Sequence, residues 1–304
     1  MMPNKLWILT KVLDGLMRRY KERVPNVSSI IGLLIKEEVI NDEDEIENDH
    51  IAFRTIGVPY LGIKSLEKIF LYYGYQKKDA YYFDQKKLNA NWFAPPLPHY
   101  PRIFISELRV GDFAEQIQAI IRSYTDEVKS DPVDQLNLDD EVAVDKFLHS
   151  GLWRLPHFED YQKLVSVSEY ASWTIYNRYY LNHFTIGVHN LKKGFNTIEE
   201  FNALLERNGF KLNDAGGKIK ISPDGKLKQS ATVAAMMKAE FPDGVTTTIP
   251  GSYVEFAERK VLPEFALMPE NEIRHFHRRE GFETGNADKI FESTYTSQTQ
   301  QNSL

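Results

Sequence analysis

The chain has 304 residues, 42% hydrophobic and 26% charged, which is the make-up of a globular protein long enough to bury a large core. A formal net charge of -6 argues against a general nucleic-acid binder, and the absence of cysteine excludes disulfides, thiolate metal sites and a cysteine nucleophile. No apolar run approaches the roughly 20 residues that span a bilayer, so neither a membrane nor a nucleic acid is an expected partner.

The opening stretch MMPNKLWILTKVLDGLMRRYKERVP alternates charged and apolar residues at helical spacing. It lacks the unbroken apolar stretch and small-residue cleavage site of a signal peptide, and the expected location is cytoplasmic. The periodicity predicts helix over 5–38 with a break near Pro25, and an N-terminal helical unit over 1–45. The acidic run NDEDEIEND reads as a solvated loop leading into a strand, NDHIAFRT. On that strand His50, Ala52 and Arg54 share one face, while Ile51, Phe53 and Thr55 share the other. A buried guanidinium needs a partner, so an acid must meet Arg54 either from within the protein or from outside.

GIKSLEKIFLYYGY then reads as an amphipathic helix with Leu66, Ile69, Phe70 and Tyr73 on one stripe. Strand-like stretches follow, DAYYFDQKKLNANWF and RIFISEL, completing a first βαβββ-like unit over 46–110. Residues 111–175 break the pattern and read as inserted helices. The first order then returns over 176–262, with NHFTIGVH as a strand and TIEEFNALLERNGF as a helix. Two strands joined at Pro223-Asp224-Gly225 come next, and GSYVEFAER closes the unit. In the C-terminal segment, 263–304, EIRHFHRRE reads as a solvated helix face carrying His275 and His277. The polar stretch STYTSQTQQNSL reads as a disordered tail.

The two units form an internal repeat. Each begins with a histidine on its first strand, His50 and His183. Each helix ends at a Gly-aromatic pair, and each unit closes with a strand glutamate, Glu107 and Glu255. Two imidazoles with carboxylate suit iron, manganese, nickel or zinc, and two His with one carboxylate is the donor set of non-haem Fe(II) oxygenases. Glu107 has three readings: a fourth ligand, a partner for Arg54, or an acceptor that holds a ligating histidine. His189, at the far end of its strand, reads as a surface or supporting residue.

On DHIAFRT, PRIFISEL, NHFTIGV, SYVEFAER and GFETGNADKIFEST, most of residues 1–290 resembles the 2-oxoadipate dioxygenase/decarboxylase family. The resemblance implies an α+β fold similar to the vicinal oxygen chelate superfamily. Paired βαβββ modules would form a curved mixed sheet around a metal cavity, with added helices. It also implies Fe(II) as cofactor, held by His50, His183 and Glu255, with Arg54 and His183 contacting the substrate. The implied partners are a 2-oxo acid and dioxygen, and the implied reaction converts 2-oxoadipate to 2-hydroxyglutarate and carbon dioxide. Two other readings stand beside it. One is a glyoxalase-like lyase or isomerase that uses Glu107 as a fourth ligand to a redox-inert metal. The other is a metal-free module that binds a small molecule.

Overall fold

The structure, a computed structural model, describes residues 4–300. Two helices come first, α1 (Lys5–Arg23) and α2 (Pro25–Lys36). The Asn4 side chain caps the first by accepting from Leu6 N at 3.0 Å. Pro25 ends it and opens the second, because proline fits the first turn of a helix but not its interior. Ile8, Leu9, Val12 and Leu16 bury one face of α1 in the main core.

The first module runs β1 (Asn48–Gly57), α3 (Ile63–Tyr72), β2 (Gln76–Phe83), β3 (Leu88–Ala94) and β4 (Arg102–Arg109). Four inserted helices follow, α4 (Glu115–Thr125), α5 (Glu141–His149), α6 (Phe158–Val167) and α7 (Glu169–Asn177). The second module has β5 (His183–Gly187), α8 (Ile198–Arg207), β6 (Lys220–Ile221) and β7 (Leu227–Ala231). A hairpin of β8 (Met236–Glu240) and β9 (Thr246–Pro250) precedes the closing strand β10 (Tyr253–Arg259). Short helices α9 (Thr284–Ile290) and α10 (Thr296–Thr299) complete the chain.

Eight strands make one curled sheet in the order β2-β3-β4-β1-β5-β10-β7-β6. Within the modules β1 runs parallel to β4, and β5 parallel to β10. The modules meet where β1 lies antiparallel to β5. The sheet is therefore two βαβββ units joined edge to edge, and the site histidines lie on the two strands at the join. The β8–β9 hairpin stands outside the sheet and packs Phe241 and Ile249 against Tyr161 of α6.

Each module helix packs an apolar stripe on its sheet. In α3, Leu66, Ile69 and Phe70 are fully buried, and in α8 Phe201, Leu204 and Leu205 are. Gly74 and Gly209 end these helices with φ of 95° and 84°, a conformation that costs other residues a Cβ clash. Each N-terminus is held by a glutamate from the module's last strand. Ile63 N donates to Glu107 Oε2 at 2.8 Å, and Ile198 N donates to Glu258 Oε2 at 3.0 Å.

The C-terminal segment differs from the sequence expectation. Residues 293–300 are folded, not disordered, and 301–304 lie outside the described residues. Polar side chains order the segment where an apolar count predicts none. Ser293 Oγ accepts from Asn213 Nδ2 at 2.8 Å, Gln298 Oε1 accepts from Asp214 N at 3.0 Å, and Glu169 Oε2 accepts from Thr296 N at 2.6 Å. Nor do His275 and His277 form a solvated helix face. His277 is buried against the Phe265 ring, and His275 reaches the Arg102 guanidinium and Glu280.

Candidate metal centre

His50, His183 and Glu255 sit on β1, β5 and β10, which are neighbours at the middle of the sheet. All three are buried, and their donor atoms lie within 4.8 Å of one another. The two Nε2 atoms are 3.3 Å apart. Glu255 places Oε1 3.5 Å from His50 Nε2 and Oε2 3.1 Å from His183 Nε2. Two bonds of about 2.1 Å at right angles put their donor atoms about 3 Å apart, so these separations are those of ligands to one ion.

The residue before each histidine decides which nitrogen faces the centre. His50 Nδ1 donates to Asp49 Oδ1 at 2.8 Å, and His183 Nδ1 donates to Asn182 Oδ1 at 3.1 Å. A shift in the β1–β5 register between Asn48 and His50 accompanies the Asp49 contact. With Nδ1 protonated, each Nε2 turns a lone pair inward. Two lone pairs and a carboxylate converging in a buried space call for a cation, so the donor set fits a divalent metal.

The charges agree with this fit. Burial disfavours ionised Glu255, but His50 and His183 outweigh it and hold the carboxyl far below its usual range. Burial lowers the His50 pKa, yet Glu255 and Asp49 outweigh it and raise the net value. At His183 burial dominates and the value falls. Gln229 Nε2 donates to Glu255 Oε1 at 2.6 Å, and Asn286 Nδ2 of α9 donates to Gln229 Oε1 at 3.0 Å. Asp49 is itself anchored by Arg259, whose Nε and Nη2 donate to the two carboxylate oxygens at 2.6 and 2.9 Å. Arg102 Nη1 donates to the same group at 3.3 Å. Burial opposes the Asp49 charge, but the two guanidinium groups and the imidazole keep its pKa well below the usual carboxylate value. Phe104, Phe282, Ile290 and Phe291 wall the small pocket in front of the cluster.

Arg54 is 1% exposed. Its Nη1 donates to Thr294 Oγ1 at 3.0 Å and its Nη2 to the Phe291 carbonyl at 3.1 Å, while Nε has no partner. The Tyr170 and Trp173 rings of α7 each lie 5.0 Å from the guanidinium carbon. Among the described residues no carboxylate forms an ion pair with it. The inserted helices thus supply aromatic walls around a buried cation that lacks an acid partner.

Glu107 is a correction. It caps α3 and accepts from Asn89 Nδ2 at 3.2 Å, away from both the cluster and Arg54. The end-of-strand glutamates of the two modules are not equivalent as sequence suggests. Rotation about the central Ile51–Phe184 pair of β1 and β5 exchanges His50 with His183. His50 faces Arg102 on β4 and His183 faces Tyr253 on β10. Counting from those pairs matches Glu107 with Glu258, as their shared capping role confirms, and matches Glu255 with Phe104. The His189 side chain is covered and lies 3.6 Å from Glu47, outside the cluster, and desolvation depresses its pKa to about 3. Sequence reading missed Asp49, Asn182, Gln229, Arg102 and Arg259. The paired Asp-His and Asn-His steps at the two strand starts were the available signal for the first two.

The fold and the cluster define a class, an α+β protein whose paired βαβββ modules bring together side chains able to hold a divalent cation. The model of the 2-oxoadipate dioxygenase/decarboxylase family matches residues 12–270. The chain is 45% identical to the 2-oxoadipate dioxygenase/decarboxylase, chloroplastic, of Arabidopsis thaliana over 298 residues, covering 94% of this chain and 77% of that one. A crystal structure of the hydroxyglutarate synthase of Oryza sativa in complex with 2-oxoadipate superposes with a TM-score of 0.87 at 43% identity, covering 95% and 93% of the two chains. A Ralstonia eutropha protein assigned to the glyoxalase superfamily shares the fold alone, with a TM-score of 0.72 at 19% identity over 93% of this chain and 88% of that one. The chain belongs to the 2-oxoadipate dioxygenase/decarboxylase family and is a decarboxylating dioxygenase.

Proposed function

We propose that this enzyme converts 2-oxoadipate and dioxygen to 2-hydroxyglutarate and carbon dioxide, with Fe(II) held by His50, His183 and Glu255. The observation that carries the reading is the convergence of these three donors in the same region as a buried arginine that has no acid partner among the described residues. Iron bound there supplies the redox chemistry that lets dioxygen react with an organic acid and a Lewis-acid anchor for the 2-oxo group. The protein's own residues do the rest. Asp49 and Asn182 fix both imidazoles with Nε2 inward, and Gln229 orients the Glu255 carboxylate. The wall of Phe104, Phe282 and Phe291 excludes water and receives the methylene chain. Arg54 binds the distal carboxylate with its planar fork. It follows His50 along the same strand by about 13 Å at roughly 3.3 Å per residue, a span that its own side chain and a short diacid bridge together. No observation favours a four-ligand lyase, since Glu107 caps a helix.

The test is anaerobic reconstitution with Fe(II), then oxygen uptake against a panel of 2-oxo acids. One dioxygen consumed and one carbon dioxide released per 2-hydroxyglutarate formed from 2-oxoadipate is the expected result. Turnover of a 2-oxo acid without oxygen consumption would overturn the reading.

A further inference from the structure

The two-fold rotation that relates the modules also pairs positions beyond the histidines. Phe104 faces Ala52 across the β1–β4 pair, and Glu255 faces Thr185 across the β5–β10 pair. The rotation that exchanges His50 with His183 exchanges these two pairs, so Phe104 stands where the other half of the sheet carries its carboxylate. Phe104 is buried and lines the pocket beside the cluster. Its ring packs 4.9 Å from Phe282, and Phe282 in turn meets the His50 ring edge-on at 4.8 Å.

We propose that Phe104 is a specificity-determining residue that withholds a fourth protein ligand and so keeps that side of the metal open for the 2-oxo acid. This rests on the metal-centre reading above. A two-fold fold with a histidine in each half has four equivalent donor positions; three carry donors here and the fourth carries an aromatic ring. An apolar side chain cannot ligate, and the same ring joins the wall that excludes water. The reaction class then follows from one position on β4. A carboxylate there would take up a position that the three donors leave free and would compete with the 2-oxo acid for the metal.

The experiment compares Phe104→Glu with its neutral isostere Phe104→Gln in the full-length protein, read by calorimetry with Mn²⁺ and then with 2-oxoadipate on the Mn²⁺-loaded protein under anaerobic conditions. Phe104→Glu should bind Mn²⁺ at least about tenfold tighter than wild type, because the added charge strengthens the donor set. It should also bind 2-oxoadipate at least about tenfold more weakly, the scale of one lost charge-assisted contact. Phe104→Gln should not tighten Mn²⁺. Phe104→His, which keeps a ring and adds a neutral donor, should tighten Zn²⁺ and covers the case in which a buried glutamate prevents folding. Equal Mn²⁺ affinity in a folded Phe104→Glu variant, or equal tightening by Gln, overturns the proposal. Absence of Mn²⁺ binding by wild type removes the metal-centre reading itself, and the proposal with it.

Discussion

The two modules share a backbone plan and divide the chemistry unequally. Each supplies one histidine, and each holds that ring by the side chain just before it. The equivalent positions otherwise differ. Where the second module has Glu255 the first has Phe104, and where the first has Arg54 the second has Gly187. Asp49, anchored by Arg259 and Arg102, corresponds to the neutral Asn182. The second half thus carries the buried carboxylate of the cluster, and the first carries the buried guanidinium and an apolar wall. A symmetric frame places donors around one point. Breaking the symmetry at a few positions leaves one side of that point for a ligand.

The comparison is most fully broken by removing a donor that both halves share. His183→Ala should abolish turnover and most metal binding while the far-ultraviolet circular dichroism stays that of wild type, since the ring is a donor and not a main part of the apolar core. Metal analysis alongside an activity assay checks it, and a variant that keeps full metal content would remove His183 from the ligand set. Next comes Arg54→Lys, which keeps the charge and loses the fork. It should retain metal and lose roughly ten- to more than a hundredfold in kcat/KM for a 2-oxo diacid, corresponding to about 1.5–3 kcal/mol. A monoacid of equal length should be slowed much less, and equal slowing of the two acids would assign Arg54 to structure.

Proton competition sharpens the contrast between the histidines. Ligation needs both Nε2 atoms unprotonated, and the metal-free pKa is raised at His50 but lowered at His183. As pH falls, metal affinity should therefore begin to drop while His50 protonates, above the ordinary histidine value of 6.5, by about tenfold per pH unit below its pKa. His183 should add to the slope only at lower pH. Calorimetric titration across that range checks the order, and an affinity flat down to pH 5 would contradict it. The smallest effect tests the equivalence of the modules. Glu107→Gln and Glu258→Gln should each lose about 0.5–2 kcal/mol of stability in denaturant unfolding and leave metal affinity unchanged. A loss of metal at Glu107→Gln alone would restore it as a ligand.

Much of this was legible because it is periodic. Helical stripes such as Leu66, Ile69 and Phe70, the glycines ending α3 and α8, and the repeated strand-helix order all follow from local chemistry. The histidine opening each first strand was legible for the same reason. The glutamates were harder. Glu107 and Glu255 both end a motif at the close of a module, and only strand register separates a helix cap from a metal-site carboxylate. Register depends on pairing between segments distant in the chain, which no local pattern encodes. The C-terminal stretch was misread because composition measures the apolar burial available, whereas residues 293–300 are ordered by hydrogen bonds to partners far away in sequence.

By itself the sequence determined the duplicated βαβββ order, a histidine opening each module and a glutamate near its close, and an arginine on the same strand face as His50. Those features need only short-range periodicity and residue chemistry. Tertiary structure decided that Arg54 meets no acid among the described residues, that Phe104 stands opposite Glu255, and that Asp49 with its two arginines orients His50. Each of these depends on which atoms lie within a few ångströms after folding, and hydrogen bonding and charge pairing act only over such distances.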